Sequence, residues 1–215
     1  MKNRIKKSVA CSILATIILS ACYMLHEPEI VGAATASDTV IVTLNVTAGI
    51  SITSPADVTM STALGVTQNS AIGTSTWNVK TNSALGYTLA LRATSSPAMT
   101  SGSNFVSDYQ TGAPNTWNAT ATQSYFGYSG FGTDISTGTW GTGSACNGGT
   151  NGNATSTTLK YKGFTTSDVT IATRSATTTP TGVDSTICYA VEQGASSYIP
   201  SGVYQATIIA TATTL

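Results

Sequence analysis

Val40, Val42, Leu44 and Val46, then Ile50 and Ile52, share one parity along the chain, while Thr39, Thr43, Asn45 and Ser51 fill the other. Apolar residues at every second position put one row of side chains on one face of a pleated strand, so the pattern predicts a β-strand from Asp38 to Ile52, with Gly49 as a bulge or bend. The same period returns in Trp77 and Val79, in Tyr87, Leu89 and Leu91, in Leu159 and Tyr161, in Val169 and Ile171, in Ile187, Tyr189 and Val191, and in Tyr204, Ala206, Ile208 and Ala210. Thr and Val, common in these runs, are β-branched residues that suit a half-buried pleated surface.

Turn-forming residues separate the runs. Asn82-Ser83 with Gly86, Asn147-Gly148-Gly149, Asn151-Gly152-Asn153, Thr179-Pro180-Thr181-Gly182 and Pro200-Ser201-Gly202 are material for reverse turns. No apolar stripe of helical period is sustained beyond the N-terminus. The expected fold is therefore an all-β antiparallel sandwich, Ig-like or jelly-roll-like, of roughly eight to ten strands. A weak internal echo divides it into two halves. Asp57-Val58-Thr59 precedes Ser75-Thr76-Trp77 much as Asp168-Val169-Thr170 precedes Ser185-Thr186-Ile187, and Gly86-Tyr87-Thr88-Leu89 is echoed by Gly202-Val203-Tyr204-Gln205-Ala206-Thr207.

The N-terminus follows a different rule. Lys2, Arg4, Lys6 and Lys7 precede an apolar run from about Val9 to Leu25, the order of charge and hydrophobicity found in a secretory signal. Two exits compete. Ala34-Thr35-Ala36 offers a small-x-small cleavage site, leaving a signal peptide over residues 1–36 and one extracellular domain over 37–215. Leu19-Ser20-Ala21-Cys22 resembles a lipobox, which implies a signal over residues 1–21 and an acylated Cys22. Either exit puts the folded part outside the cell, in contact with the membrane only through its signal or a lipid.

Removing that leader changes the available chemistry. His26, the one histidine of the chain, lies within it. After Ser37 the cations are Lys80, Arg92, Lys160, Lys162 and Arg174 and the acids are Asp38, Asp57, Asp108, Asp134, Asp168, Asp184 and Glu192, five against seven, a net charge of −2. Binding nucleic acid needs clustered Lys and Arg to displace counterions, so no nucleic-acid partner is expected. Only 8% of the whole chain is charged, yet 41% is hydrophobic, which points to a folded domain whose polar surface is built from Thr, Ser, Asn and Gly. The even pair Cys146 and Cys188 fits an oxidising compartment and one disulfide.

The mid-chain hairpin and the closing Gly-x-Tyr strand resemble bacterial cell-surface β-sandwich modules of the WxL type. In that family a Trp-x-Leu sits in each of two strands. Here Tyr87-Thr88-Leu89 stands at the first, and Ala210-Thr211-Ala212 at the second lacks both defining residues. The final strand is also similar to that of secreted pilin-like coat subunits. That resemblance implies polymerisation by lending a strand to a neighbour.

Enzymatic chemistry is narrowed by elimination. With no histidine after Ser37, the usual Ser or Thr hydrolase triad has no base. A Ser-Lys dyad would use Lys80, Lys160 or Lys162, and a Lys-Asn isopeptide crosslink would use Lys80 or Lys160. A glycosidase would need a carboxylate pair, for which Asp108 and Asp134, set among aromatics and glycines, are the candidates. Asp in loops more often caps turns. Asn151, Asn153 and Asp134 lack the Asp-x-Asp-x-Asp-Gly spacing of a calcium loop, so no metal or cofactor is expected.

Two non-enzymatic readings remain. One is a structural subunit of an envelope, fibre or surface layer, partnered by other surface subunits or by itself, with Val40, Val42, Leu44 and Val46 on a strand that pairs within its own domain or at a neighbour's sheet edge. The other is a module for glycan or cell-wall polysaccharide, because Tyr109, Trp117, Tyr128 and Trp140 lie in a Gly-, Ser- and Thr-rich stretch from Phe105 to Trp140. Trp117 filling the core is the alternative use of that residue.

Overall fold

Alternation becomes strand wherever a neighbouring backbone takes up the ladder hydrogen bonds. A computed structural model of the protein describes residues 35–146 and 158–215. The leader with Cys22, and the Asn147-Gly148-Gly149 and Asn151-Gly152-Asn153 turns, lie outside the described residues. The chain divides into two units, Met1–Asn45 and Val46–Leu215.

The second unit holds eleven described strands: β1 (Ile50–Thr53), β2 (Ser70–Thr81), β3 (Tyr87–Ala93), β4 (Met99–Ser101), β5 (Asn104–Asp108), β6 (Asn115–Thr116), β7 (Tyr125–Gly132), β8 (Lys160–Tyr161), β9 (Val169–Arg174), β10 (Val183–Glu192) and β11 (Ile208–Thr214). A four-residue helical turn, α1 (Thr137–Trp140), follows β7. The larger sheet has the order β1-β2-β10-β7-β5-β4, the smaller β11-β3-β9, and β6 pairs with β8 alone. All pairs are antiparallel except β5 with β7. The chain is thus all-β, with antiparallel sheets packed face to face as a sandwich.

Burial follows the pleat. Along β3 every second residue, Tyr87, Leu89, Leu91 and Ala93, is buried, and these pack against Val79, Phe126, Ile187 and Val191 of the larger sheet. In β10 the rule changes: every residue from Ile187 to Glu192 is buried, since the larger sheet is covered on both faces there. Its second face is covered by Tyr109, Trp117, Leu159 and Tyr161, which form a satellite core with Cys188 and Ala190.

β7 is absent from the alternation pattern, because its sequence, Tyr-Phe-Gly-Tyr-Ser-Gly-Phe-Gly, reads as loop. It is a central strand, and its glycines mark close approach. A Cβ on Gly127 would lie 2.9 Å from Trp117 Cζ3 and 3.0 Å from the Lys162 carbonyl oxygen. A Cβ on Gly130 would meet Ile171 at 2.8 Å.

Three sequence expectations are corrected. Of the strand expected from Asp38 to Ile52, only Ile50–Thr53 pairs, with β2; no strand of the described residues pairs with 38–49, and an alternating pattern without a partner strand forms no ladder. β11 begins at Ile208 rather than Tyr204, because Gln205 instead exchanges backbone hydrogen bonds with Thr100. The echo joins unlike structures, for Val169 lies in β9 while Val58 is in no strand, and Tyr87 opens β3 while Tyr204 is in no strand. Ser75–Trp77 and Ser185–Ile187 do correspond, and they pair with each other across β2 and β10.

Candidate functional site

The four aromatics expected to hold sugar are core residues. Trp117, Trp140, Tyr128 and Tyr109 are 0, 2, 1 and 6% exposed. Trp117 stacks on Tyr109 at 4.6 Å, meets Tyr161 edge-on at 5.2 Å, and donates Nε1–H to Glu192 Oε2 at 2.6 Å. Tyr128 lies 4.2 Å from Phe164 and 5.3 Å from Trp140. A ring that binds sugar must offer an open face, and these faces are taken by protein. Gly127 of β7 leaves room for two of these aromatics, since a Cβ there would lie 2.9 Å from Trp117 Cζ3 and 2.9 Å from Tyr109 Cβ.

Cys146 and Cys188 are joined in a disulfide, Cα–Cα 5.4 Å, at the edge of the same satellite core. Lys162, nearly buried beside it, donates Nζ–H to the carbonyls of Thr111 and Gly112, and burial pulls its pKa below the ordinary lysine value. Of the lysines considered for a crosslink, Lys80 is exposed on β2 and Lys160 donates to the Gly138 carbonyl at 3.1 Å.

The two acids have separate hydrogen-bond partners. Asp134 accepts from the Tyr87 hydroxyl at 2.8 Å and from Arg174 Nη1 at 3.2 Å, and burial together with Asp134 raises the Tyr87 pKa well above its usual value. Asp108 accepts from Ser96 Oγ at 2.7 Å and from the Ala98 amide at 3.0 Å. Burial raises its pKa, and these two donors oppose the rise. Each carboxylate ties down its own turn with its own donors. Among the described residues no group of three His, Cys, Asp or Glu side chains is gathered for a metal ion.

What the fold leaves unused lies at the sheet edges. β9 is covered: Ile135 bridges Ala172, the Thr173 amide donates to the Asp134 carbonyl at 2.9 Å, and Arg174 is held by Asp134. β4 is covered by the exchange of Thr100 with Gln205, at 3.0 and 2.9 Å. β1 and β11, by contrast, pair only with β2 and β3 among the described residues. These two bare edges come together along one side of the sandwich. There the inward side chains Ile50, Ile52, Ile208, Ala210 and Ala212 are only partly buried, whereas Val79, Leu89 and Leu91 deeper in are 0 to 1% exposed.

The described part of the first unit, residues 35–45, is exposed throughout and forms no strand. Val40, Ile41, Val42 and Leu44 are 83 to 90% exposed, and Val46, which opens the second unit, is 74% exposed. Sequence reasoning selected Val40, Val42, Leu44 and Val46 by alternation, and Ile41 falls on the opposite parity. The open seam had no sequence signal, since an edge is a property of topology. Comparison with protein-family models, with curated proteins and with solved structures gave no match.

Proposed function

We propose that the protein is a non-enzymatic structural subunit of a bacterial cell envelope, exported to the surface and assembling with other subunits, itself included, through the segment 38–46. A single observation carries this: a row of apolar side chains at strand spacing, Val40, Val42, Leu44 and Val46, that is 74 to 87% exposed and has no partner strand among the described residues. Such a row is stable only when another sheet edge takes its backbone and another core takes its side chains. The disulfide, the leader-like N-terminus and the lack, among the described residues, of a helix long and apolar enough to cross a membrane support export.

The test compares native surface extract unboiled and boiled, by electrophoresis with and without reductant. A ladder of multiples that collapses on boiling is expected. It should persist in reductant, because the disulfide closes within one chain. A lone monomer band under every condition rejects the reading. Deleting residues 38–46 should convert the ladder to monomer while leaving the circular dichroism of the sandwich unchanged.

A further inference from the structure

Asn118-Ala119-Thr120 is an Asn-x-Thr triplet, the pattern at which an exported chain receives a glycan on the Asn side-chain amide. The triplet recurs at Asn45-Val46-Thr47 and Asn153-Ala154-Thr155, and in a chain this rich in Thr the pattern alone decides nothing. Residues 153–155 lie outside the described residues, and at 45–47 all three residues are exposed, so no packing orients them. The triplet at 118 differs because the fold presents it.

Residues 117–120 follow β6 and belong to no strand, yet burial alternates along them. Trp117 and Ala119 are 0 and 1% exposed, whereas Asn118 and Thr120 are exposed. Alternation puts residues two apart on one side of an extended segment, so the Asn118 amide and the Thr120 hydroxyl face outward together. The segment is anchored from beneath: Trp117 is held by Glu192, the Asn118 backbone amide donates to the Tyr109 hydroxyl at 3.1 Å, and the Ala121 carbonyl accepts from the Ser196 amide at 2.8 Å. These contacts use the backbone and the inward side chain. Neither the Asn118 side chain nor the Thr120 hydroxyl has a hydrogen-bond partner among the described residues. Asn78, Asn82 and Asn115, by contrast, use their side-chain amides on Asp184, Gly49 and Thr116.

We propose that Asn118 is a glycosylation site, whose amide takes an oligosaccharide from a lipid-linked glycosyl diphosphate outside the membrane. The inference rests on the export proposed for this protein and not on assembly through 38–46. In the transfer Nδ2 attacks the anomeric carbon. The C–N bond forms, the bond from that carbon to the diphosphate oxygen breaks with its electron pair, and Nδ2 gives up one proton. The Thr120 hydroxyl is the group by which a transferase selects this amide. Surface chemistry agrees, since 8% of the chain is charged against roughly 25% in ordinary domains, and five cations meet seven acids after Ser37, a net charge of −2. A glycan here adds bulky polar cover over the satellite core, on the face of the larger sheet that the smaller sheet leaves open.

The test is mass spectrometry of the protein recovered from surface extract and digested with chymotrypsin, which cuts after Trp117 and Tyr125 and isolates residues 118–125. A fragment containing residue 118 is expected to carry the added mass of linked sugar residues. Asn118→Gln and Thr120→Ala should each abolish that mass, and Thr120→Ser, which restores the hydroxyl, should retain it. Both positions are exposed, so unchanged circular dichroism will separate loss of the glycan from loss of the fold. An unmodified fragment from surface protein overturns the site while leaving export standing. So does sugar mass that survives Asn118→Gln, because it then lies on a hydroxyl. Recovery of the chain from the cytoplasm alone overturns both.

Discussion

β9 and β11 flank the same strand, β3, and are built from much the same residues, Val-Thr-Ile-Ala-Thr-Arg and Ile-Ile-Ala-Thr-Ala-Thr-Thr, yet their outer edges differ. The turn after β7 folds back on β9, so that Ile135 bridges Ala172, and Asp134 holds both Arg174 and the Tyr87 hydroxyl. Nothing among the described residues folds back on β11. Strand composition therefore does not determine which edge is available. The covering segments do: of the four edges of the two larger sheets, the described residues cover two and leave bare the two that adjoin.

The largest expected effect separates edge cover from overall stability. Replacing Cys146 and Cys188 together with Ser opens a loop of 42 residues and should lower unfolding free energy by roughly 4 kcal/mol on the chain-entropy estimate. Denaturant titration reads that loss. The disulfide lies in the satellite core, away from β11, so below the unfolding transition the multimer ladder should be unchanged. A ladder that vanishes while the fold persists would place the assembly contact at the satellite core instead.

Uncovering β9 comes next. Asp134→Ala removes the acceptor of a fully buried tyrosine hydroxyl and the partner of a partly buried guanidinium, at a cost of about 2 to 3 kcal/mol. It also loosens the turn that covers β9. Asp134→Asn, which keeps an acceptor for Tyr87, should cost less. If edge cover is what distinguishes β9 from β11, the Ala variant acquires a second adhesive edge, and light scattering will show larger, branched assemblies. A destabilised variant with unchanged assembly size would show that bridging by Ile135 suffices.

The reverse exchange protects β11. Thr211 and Thr213 are exposed, so Thr211→Lys and Thr213→Lys should each change stability by no more than about 0.5 kcal/mol. A lysine on a bare edge strand opposes pairing, and the double variant should shift the population from multimers to monomer at equal protein concentration, as read by size-exclusion chromatography. Persistence of the full ladder would show that assembly does not use the β11 edge.

These edges also mark where sequence was informative. β3, β9 and β10 were legible because apolar residues alternate along each in sequence, although only β3 buries strictly every second residue, and Gly86 and Gly182, at φ +88° and +85°, sit where the turn residues placed them. β7 was hidden because its glycines serve approach by Trp117, Tyr109 and Ile171, and a residue chosen to have no side chain leaves no period. The aromatic stretch suggested a sugar site because Trp and Tyr are alike in composition whether they cover a sheet or a ligand; only the packing of Trp117 between Tyr109 and Tyr161, with Glu192 at its nitrogen, distinguishes the two. The segment 38–46 was legible as apolar alternation. Whether a partner strand lies within the chain depends on long-range topology, which a local pattern does not contain.

The smallest expected effect concerns the other covered edge. Asp108, at the end of β5, receives Ser96 Oγ–H and the Ala98 amide, and so holds the turn that leads into β4. Burial raises its pKa above the ordinary 3.8 despite those two bonds. The folded protein then binds more protons than the unfolded chain between 3.8 and the raised value, and stability falls as pH climbs through that interval. Asp108→Asn keeps an acceptor for the Ala98 amide and removes the titration, so this part of the fall should disappear. Thermal midpoints of the two proteins, measured from pH 3.5 upward, should diverge as pH climbs through that interval, only the wild type losing stability there. Parallel curves would show that the two hydrogen bonds outweigh burial at this carboxylate. In either case β4 should stay covered, because its hydrogen bonds to Gln205 are backbone bonds that do not titrate. A pH-dependent change in assembly size would therefore have to arise elsewhere than at β4.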